Sequence, residues 1–367
     1  MATAFGTEGI SSMMPSSLLS GCTATNAPIE VIEVSPDLND PDGWVALHLV
    51  GAFHGISAVV SIDAHPMWVF AVDGHYVQPS RAEAVPITNG ERFSVLIQAK
   101  EAGDFTIRVA ATTDPQVIAG YATLRVNRPG DVKVDEDGCA AFIDDSGKTT
   151  ASGVAVYDPN TSKPFPESPI PQVADETLLF HMGNAIPPYL WALNVTPLHS
   201  DSLTSKPPLL LDPRTDSTHI KPTRNGSWVD LVFITESSPN PPHPIHKHGN
   251  KMYLLGMGYG AWTWPSVEEA AAEQPELFNL VDPPLKDSFS SLKLGIGDAA
   301  TTSWLAMRYY SDNPGPWLLH CHVLGHLVGG MQAVLMDGLG DAWPETPQEY
   351  RQLAEGGGGG GARRKRS

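Results

Sequence analysis

Cysteine and positive charge are scarce in this sequence. Only Cys22, Cys139 and Cys321 occur among 367 residues, which leaves room for at most one intrachain disulfide. Lysine and arginine number 23 against 41 acidic residues, for a formal charge of −18. That balance argues against nucleic acid or an anionic membrane surface as a partner. No apolar run approaches the roughly 20 residues a membrane-spanning helix needs. The opening Met1-Ala-Thr-Ala-Phe-Gly6 has neither a basic n-region nor an apolar core, so no secretory leader is expected in it. Helical periodicity is rare too, convincing only in Val267–Glu273 and Gln348–Ala354. What remains is ordinary apolar content and enough length for two domains, each with its own core.

Most of the chain reads as short strands. From Ile29–Val34 they run through Trp44–Val50, Ser57–Ile62, Met67–Val72, Arg92–Ile97 and Phe105–Val109 to Tyr121–Val126. Turns at Asp73-Gly74, Asn89-Gly90 and Ala102-Gly-Asp104 separate them. Seven short strands with regular turns predict a Greek-key β-sandwich. An Asp-, Gly-, Ser- and Pro-rich stretch follows. Strands then resume at Glu176–Phe180, Leu190–Val195, Trp228–Ile234, Met252–Leu255, Phe289–Leu294, Thr302–Met307 and around Cys321. The expected fold class is therefore all-β, two tandem sandwiches. The lead-in to about Ala27 is irregular, and the tail of six glycines and Arg363–Arg366 is low-complexity and expected to be disordered.

Two histidine-rich stretches carry the chemistry. In Trp317-Leu-Leu-His-Cys-His-Val-Leu-Gly-His326, strand alternation sends His320 and His322 to one face and Cys321 to the other. A thiolate, an imidazole from His326 and the thioether of Met331 are the ligand types of a blue-copper electron-transfer site. In His243-Pro-Ile-His-Lys-His248, His246 and His248 share a face, and His243 has the opposite parity. The segments supply matching halves: His243, Cys321, His326 and Met331 for a mononuclear site, and His246, His248, His320 and His322 for a second cluster. Six of the 13 histidines fall in these two windows, which scattered core histidines would not do.

In these residues the chain resembles multicopper oxidases of the fungal laccase-like kind, whose last cupredoxin domain carries HPxHxH and then HCHxxxHxxxxM. The resemblance implies that His243, Cys321, His326 and Met331 hold the type 1 copper, that His246 serves type 2 copper, and that His248, His320 and His322 serve the type 3 pair. Asn279-Leu-Val-Asp-Pro-Pro-Leu-Lys-Asp287 and Asp341-Ala-Trp-Pro344 also fit the family. It further implies cupredoxin-like sandwiches: residues 25–130 as the family's second domain, 131–171 as a linker, 172–346 as the C-terminal copper domain, and 347–367 as a short helix and tail. A phenolic or similar small reductant and dioxygen are the implied substrates. The resemblance implies that electrons pass from type 1 copper through Cys321, His320 and His322 to the oxygen-reducing centre. Extracellular location is implied as well, and the sequons at Asn160, Asn194 and Asn225 support it weakly.

The chain departs from the family in several places. The oxygen-reducing cluster needs four more histidines from a first domain, in HxHG and HxH motifs; His48, His54, His65, His75, His181, His199 and His219 stand alone. Half of the type 2 and type 3 ligands are thus present, and a first cupredoxin domain or another subunit is the expected partner. Leu324 stands where many members carry a carboxylate, and Lys247 and Asn250 replace a common Leu and His. Alignment on Asp73-Gly-His75 makes His65, with Asp63 nearby, the candidate for the family's substrate-binding carboxylate position. Met331 is expected to lower the copper potential relative to Leu or Phe. Once Cys321 is given to copper, Cys22 and Cys139 could form a disulfide, though sequence alone does not show that they meet. Three readings compete: part of an oxidase, a lone type 1 electron-transfer module, or a truncated chain with the fold and no metal.

Overall fold

The computed structural model describes residues 27–356 apart from 38–39, 41, 56, 113–117, 129–138, 185–188, 195, 205–206 and 217. The lead-in, Cys22 and the glycine–arginine tail lie outside the described residues. The chain forms two compact units, Met1–Ser168 and Pro169–Ser367.

Unit 1 contains β1 (Glu30–Val34), β2 (Trp44–Val50), β3 (Ala58–Ile62), β4 (Met67–Val72), β5 (His75–Ala82), β6 (Ala84–Ile87), β7 (Arg92–Gln98), β8 (Gly103–Ala111) and β9 (Ala119–Val126). One sheet has the order β1-β9-β8-β3-β6 and the other β2-β7-β4-β5. Alternation fixes which side chains fill the space between them. In β7, Phe93, Val95 and Ile97 are buried while the intervening residues are half-exposed. They pack with Val60, Ile62, Met67, Val69, Phe105 and Leu124 into one core. Residues 131–171, expected as a linker, do not all run free. Ile143 is fully buried, and bridges pair Val156 with Ala84 and Pro164 with Val77. Their polar composition hides a few anchoring apolar residues.

Unit 2 contains β10 (Glu176–Asn184), β11 (Trp191–Leu193), β12 (Ile220–Thr223), β13 (Ser227–Thr235), β14 (Pro244–Lys247), β15 (Met252–Tyr259), β16 (Leu285–Lys286), β17 (Ser288–Ser290), β18 (Ser303–Ser311), β19 (Gly315–Cys321) and β20 (Gln332–Asp337). Its sheets run β11-β10-β13-β18-β15-β16 and β12-β20-β19-β14-β17. β13 and β18 pair over nine residues and are almost wholly buried. Phe180, Phe233, Ile245, Met307, Tyr309, Leu319 and Cys321 share the core between the sheets. Short helices are α1 (Ser200–Thr204), α2 (Val267–Glu273), α3 (Leu324–Val328) and α4 (Gln348–Gly356). The side chain of Ser266 caps α2 by accepting the Glu269 N–H at 3.2 Å. Both units are antiparallel apart from single parallel pairings, β1 with β9 in unit 1, and β10 with β13 and β12 with β20 in unit 2. Each is a cupredoxin-like Greek-key β-sandwich.

Candidate metal centre

β14 and β19 pair antiparallel, with Ile245 opposite Cys321, His246 opposite His320 and Lys247 opposite Leu319. This register turns the two motifs into two clusters. Cys321 points into the sandwich core beside Ile245, whereas His246 and His320 face the other way. His320 and Cys321 are adjacent in sequence yet serve opposite faces.

The strand does not continue to His326. β19 ends at Cys321, and α3 follows. A regular strand would have placed His326 on the His320 side, because both positions are even. The helical turn reverses it: the His326 and Leu327 N–H groups bond the Val323 carbonyl at 3.0 Å, and the ring comes back to Cys321. The return closes through Met331, whose N–H bonds the His326 carbonyl at 2.9 Å and whose carbonyl accepts the Cys321 N–H at 3.1 Å. Gly330 makes this return feasible. Its φ is +107°, and an added Cβ would lie 2.4 Å from the Pro197 Cβ.

Three donor atoms converge. His243 Nδ1 lies 3.1 Å from His326 Nδ1, and Cys321 Sγ lies 3.7 Å from the first and 3.5 Å from the second. His243, Cys321 and Met331 are fully buried. The Nε2–H of His243 donates to Asn240 Oδ1 at 2.5 Å, which leaves the Nδ1 lone pair facing the other two atoms. Two imidazole nitrogens this close repel unless a proton or a metal ion lies between them. A point equidistant from all three atoms is about 2 Å from each, close to the roughly 2.0–2.3 Å bonds imidazole and thiolate make to a divalent ion of similar size. The donor set therefore fits copper. Burial holds the His243 and His326 pKa values down, the latter to about 4, so both rings are neutral near pH 7. Burial pushes the Cys321 thiol up to about 12, and a bound metal would displace its proton.

The second cluster comprises His246, His248 and His320, with ligand nitrogens all within 4.8 Å of one another. His248 Nε2 and His320 Nε2 are 3.1 Å apart. His246 donates Nδ1–H to the Asp287 carbonyl and His320 to the Cys321 carbonyl, both at 2.8 Å, so their Nε2 lone pairs point into the cluster. Burial lowers the His246 pKa to about 4 and that of His320 to about 3. The His322 ring centroid stands 5.7 Å from that of His246 and 5.5 Å from that of His320. An open cavity of about 450 Å³ borders the cluster, lined by His246, His248, Asp287, Lys251 and Trp317.

The substrate candidates lie in unit 1. Asp63 is buried and forms an ion pair with Arg108 at 3.3 Å. His65 is buried against Phe105 and bonds the Asp63 carbonyl through Nδ1, while it also lines a cavity of about 430 Å³. Sequence reasoning missed Asn240, three residues before His243, and Trp191, whose ring lies 4.0 Å from that of His326. An Asx residue preceding a ligand histidine was the one available signal.

The comparisons with known proteins agree with the fold and the motifs. Two family models described as multicopper oxidase match residues 45–129 and 193–340. The "Laccase ustL" of Ustilaginoidea virens is 36% identical over 357 residues, covering 94% of this chain and 54% of that protein. "Multicopper oxidase GIP1" of Gibberella zeae is likewise 36% identical, over 94% of this chain and 50% of its own length. The chain thus spans about half the length of the curated relatives it matches. Among solved structures, a laccase from Botrytis aclada superposes with a TM-score of 0.69 at 20% identity, over 92% of this chain and 59% of that one. The class is that of cupredoxin-fold proteins with clustered copper-type ligands. The chain belongs to the multicopper oxidase family, among its fungal laccase-like members.

Proposed function

We propose that this chain is the copper-binding C-terminal portion of a laccase-like oxidase, taking electrons from a phenolic or similar small reductant and passing them towards dioxygen. The observation that carries the proposal is the buried triangle of His243 Nδ1, His326 Nδ1 and Cys321 Sγ, with edges of 3.1, 3.5 and 3.7 Å. These three residues, together with the thioether of Met331, would hold a type 1 copper. His246 would serve a type 2 ion, and His248, His320 and His322 the type 3 pair. Copper bound in these places supplies one-electron transfer from the reductant and the reduction of dioxygen.

The protein's own residues organise that transfer. Cys321 joins His320 and His322 through three consecutive backbone units, which gives an electron arriving at Sγ a covalent route to the second cluster. The His320 Nδ1–H bond to the Cys321 carbonyl, 2.8 Å long, shortens that route. Trp191 packs against the His326 ring, with the ring centroids 4.0 Å apart, and helps fix its orientation. His65, on its cavity wall, is our candidate for a reductant contact, with Asp63 orienting it through the carbonyl; the Asp63 carboxylate is already committed to Arg108.

Four further ligands must come from a first cupredoxin domain or another subunit, so this chain by itself transfers electrons without sustained oxygen reduction. Copper-loaded protein should show an intense thiolate-to-copper absorption in the red that Cys321→Ser abolishes. It should consume no oxygen continuously with a phenolic reductant. A red band that survives Cys321→Ser sinks the type 1 assignment. Sustained uptake proportional to enzyme shows that ligands beyond these eight residues complete the centre.

A further inference from the structure

We propose that Lys247 is a positioning residue for the second cluster: its buried ammonium, paired with Asp337, clamps the turn that carries His248. The proposal rests on the reading of His246, His248 and His320 as copper ligands. Lys247 lies between two of them on β14 but points the opposite way, into the sandwich core. Its side chain and that of Asp337 are both fully buried, 2.9 Å apart. All three ammonium hydrogens have acceptors: Asp337 Oδ2, Asn250 Oδ1 at 2.6 Å and the His248 carbonyl at 3.1 Å. The ammonium also lies 4.3 Å from the Tyr309 ring centroid.

The network reaches both sheets. Asp337 Oδ1 accepts from Thr223 Oγ1 at 2.7 Å and from the Tyr309 hydroxyl at 2.9 Å. Asn250 Nδ2 donates to the Tyr310 carbonyl and to Asp312 Oδ1, each at 3.0 Å. β12, β18, β20 and the turn after β14 are therefore tied to one charge pair.

A methionine or leucine would fill the same space without desolvating two ions, and a buried pair is weak as a source of stability. Its bonds, however, go where the strand ladder does not. His246 and His320 lie within paired strands, whereas His248 is one residue beyond the end of β14. Its exposed ring is placed by its own N–H bond to the Leu318 carbonyl and by the turn that follows. In that turn Gly249, at φ +86°, packs so closely on Trp317 that a Cβ would lie 2.5 Å from the ring. Lys247 holds the His248 carbonyl and the Asn250 side chain on either side of this glycine. Removing that clamp leaves His248 free to swing away from His320.

The test is Lys247→Met combined with Asp337→Asn, which leaves no unpaired charge and keeps an acceptor for Tyr309 and Thr223. Wild type and variant are titrated with copper(II), following the type 1 site by its red absorption and the second cluster by electron paramagnetic resonance; thermal melting checks the fold. The expected result is an unchanged type 1 site and a roughly 10-fold or greater loss of affinity at the second cluster, the scale of outer-shell changes at metal sites. Asp337→Glu, which keeps the pair, should recover part of the loss. Equal affinities in variant and wild type overturn the proposal, as does an equal fall at both sites, which marks general loosening. A wild-type chain that takes no copper at the second cluster overturns the ligand reading itself and the proposal with it.

Discussion

Replacing Asn240 by alanine isolates the contribution of one hydrogen bond to the type 1 geometry. Asn240 is 2% exposed, and its Oδ1 is the acceptor for the Nε2–H of a wholly buried His243. Truncation leaves that N–H without an acceptor in an apolar core, at a cost of about 1–3 kcal/mol in stability. It also frees the ring to exchange tautomers, which turns the Nδ1 lone pair into an N–H that cannot bind metal. Loss of an outer-shell bond of this kind lowers metal affinity roughly 10- to 100-fold. Asn240→Asp keeps an oxygen acceptor and should restore copper binding. Asn240→Leu fills the volume without one and should behave as the alanine variant does. Copper affinity measured by competition with a chelator, alongside thermal melting, reads both effects. If Asn240→Ala binds copper as wild type does, the tautomer assignment for His243 is wrong.

Acid should destabilise the metal-free chain in a defined window. Burial holds His246 and His326 at about 4 and His320 at about 3, against roughly 6.5 in an unfolded chain. The folded state then binds fewer protons, so stability is complete above pH 6.5 and falls by about 1.4 kcal/mol per group per unit as pH drops towards 4. A melting temperature flat between pH 7 and 4.5 contradicts this. Asp230→Ala leaves Arg308, fully buried and held through Nε at 2.6 Å and Nη2 at 2.8 Å, without its counter-ion. Chemical denaturation should show a loss of about 3–5 kcal/mol, and a loss under 1 would mean that water reaches the site. Gly330→Ala should cost at least about 2 kcal/mol and weaken the red band, since both its φ and Pro197 oppose a side chain; an unchanged band shows that the return loop adapts.

Much of the site was legible because strand alternation is a strong geometric rule. The parity of His243, His246, His248, His320, Cys321 and His322 alone separates the two clusters. Parity failed at His326, where a five-residue helix replaces the strand; only the chemistry of the ligand set placed it beside Cys321. Element detection failed in a consistent way. β5, β6 and β12 are edge strands containing Pro79, Pro86 and Pro222, so they lack an uninterrupted strand signal. β20 is buried along its whole length and shows no alternation to read. Lys247 could not have been read as buried from sequence, because its partner Asp337 lies 90 residues away.

The most direct measurement is a copper-edge anomalous difference map from crystals of the copper-loaded protein. The account predicts its strongest peak inside the triangle of His243 Nδ1, His326 Nδ1 and Cys321 Sγ, about 2 Å from each atom. A map with copper elsewhere on the protein and none in that triangle would contradict it.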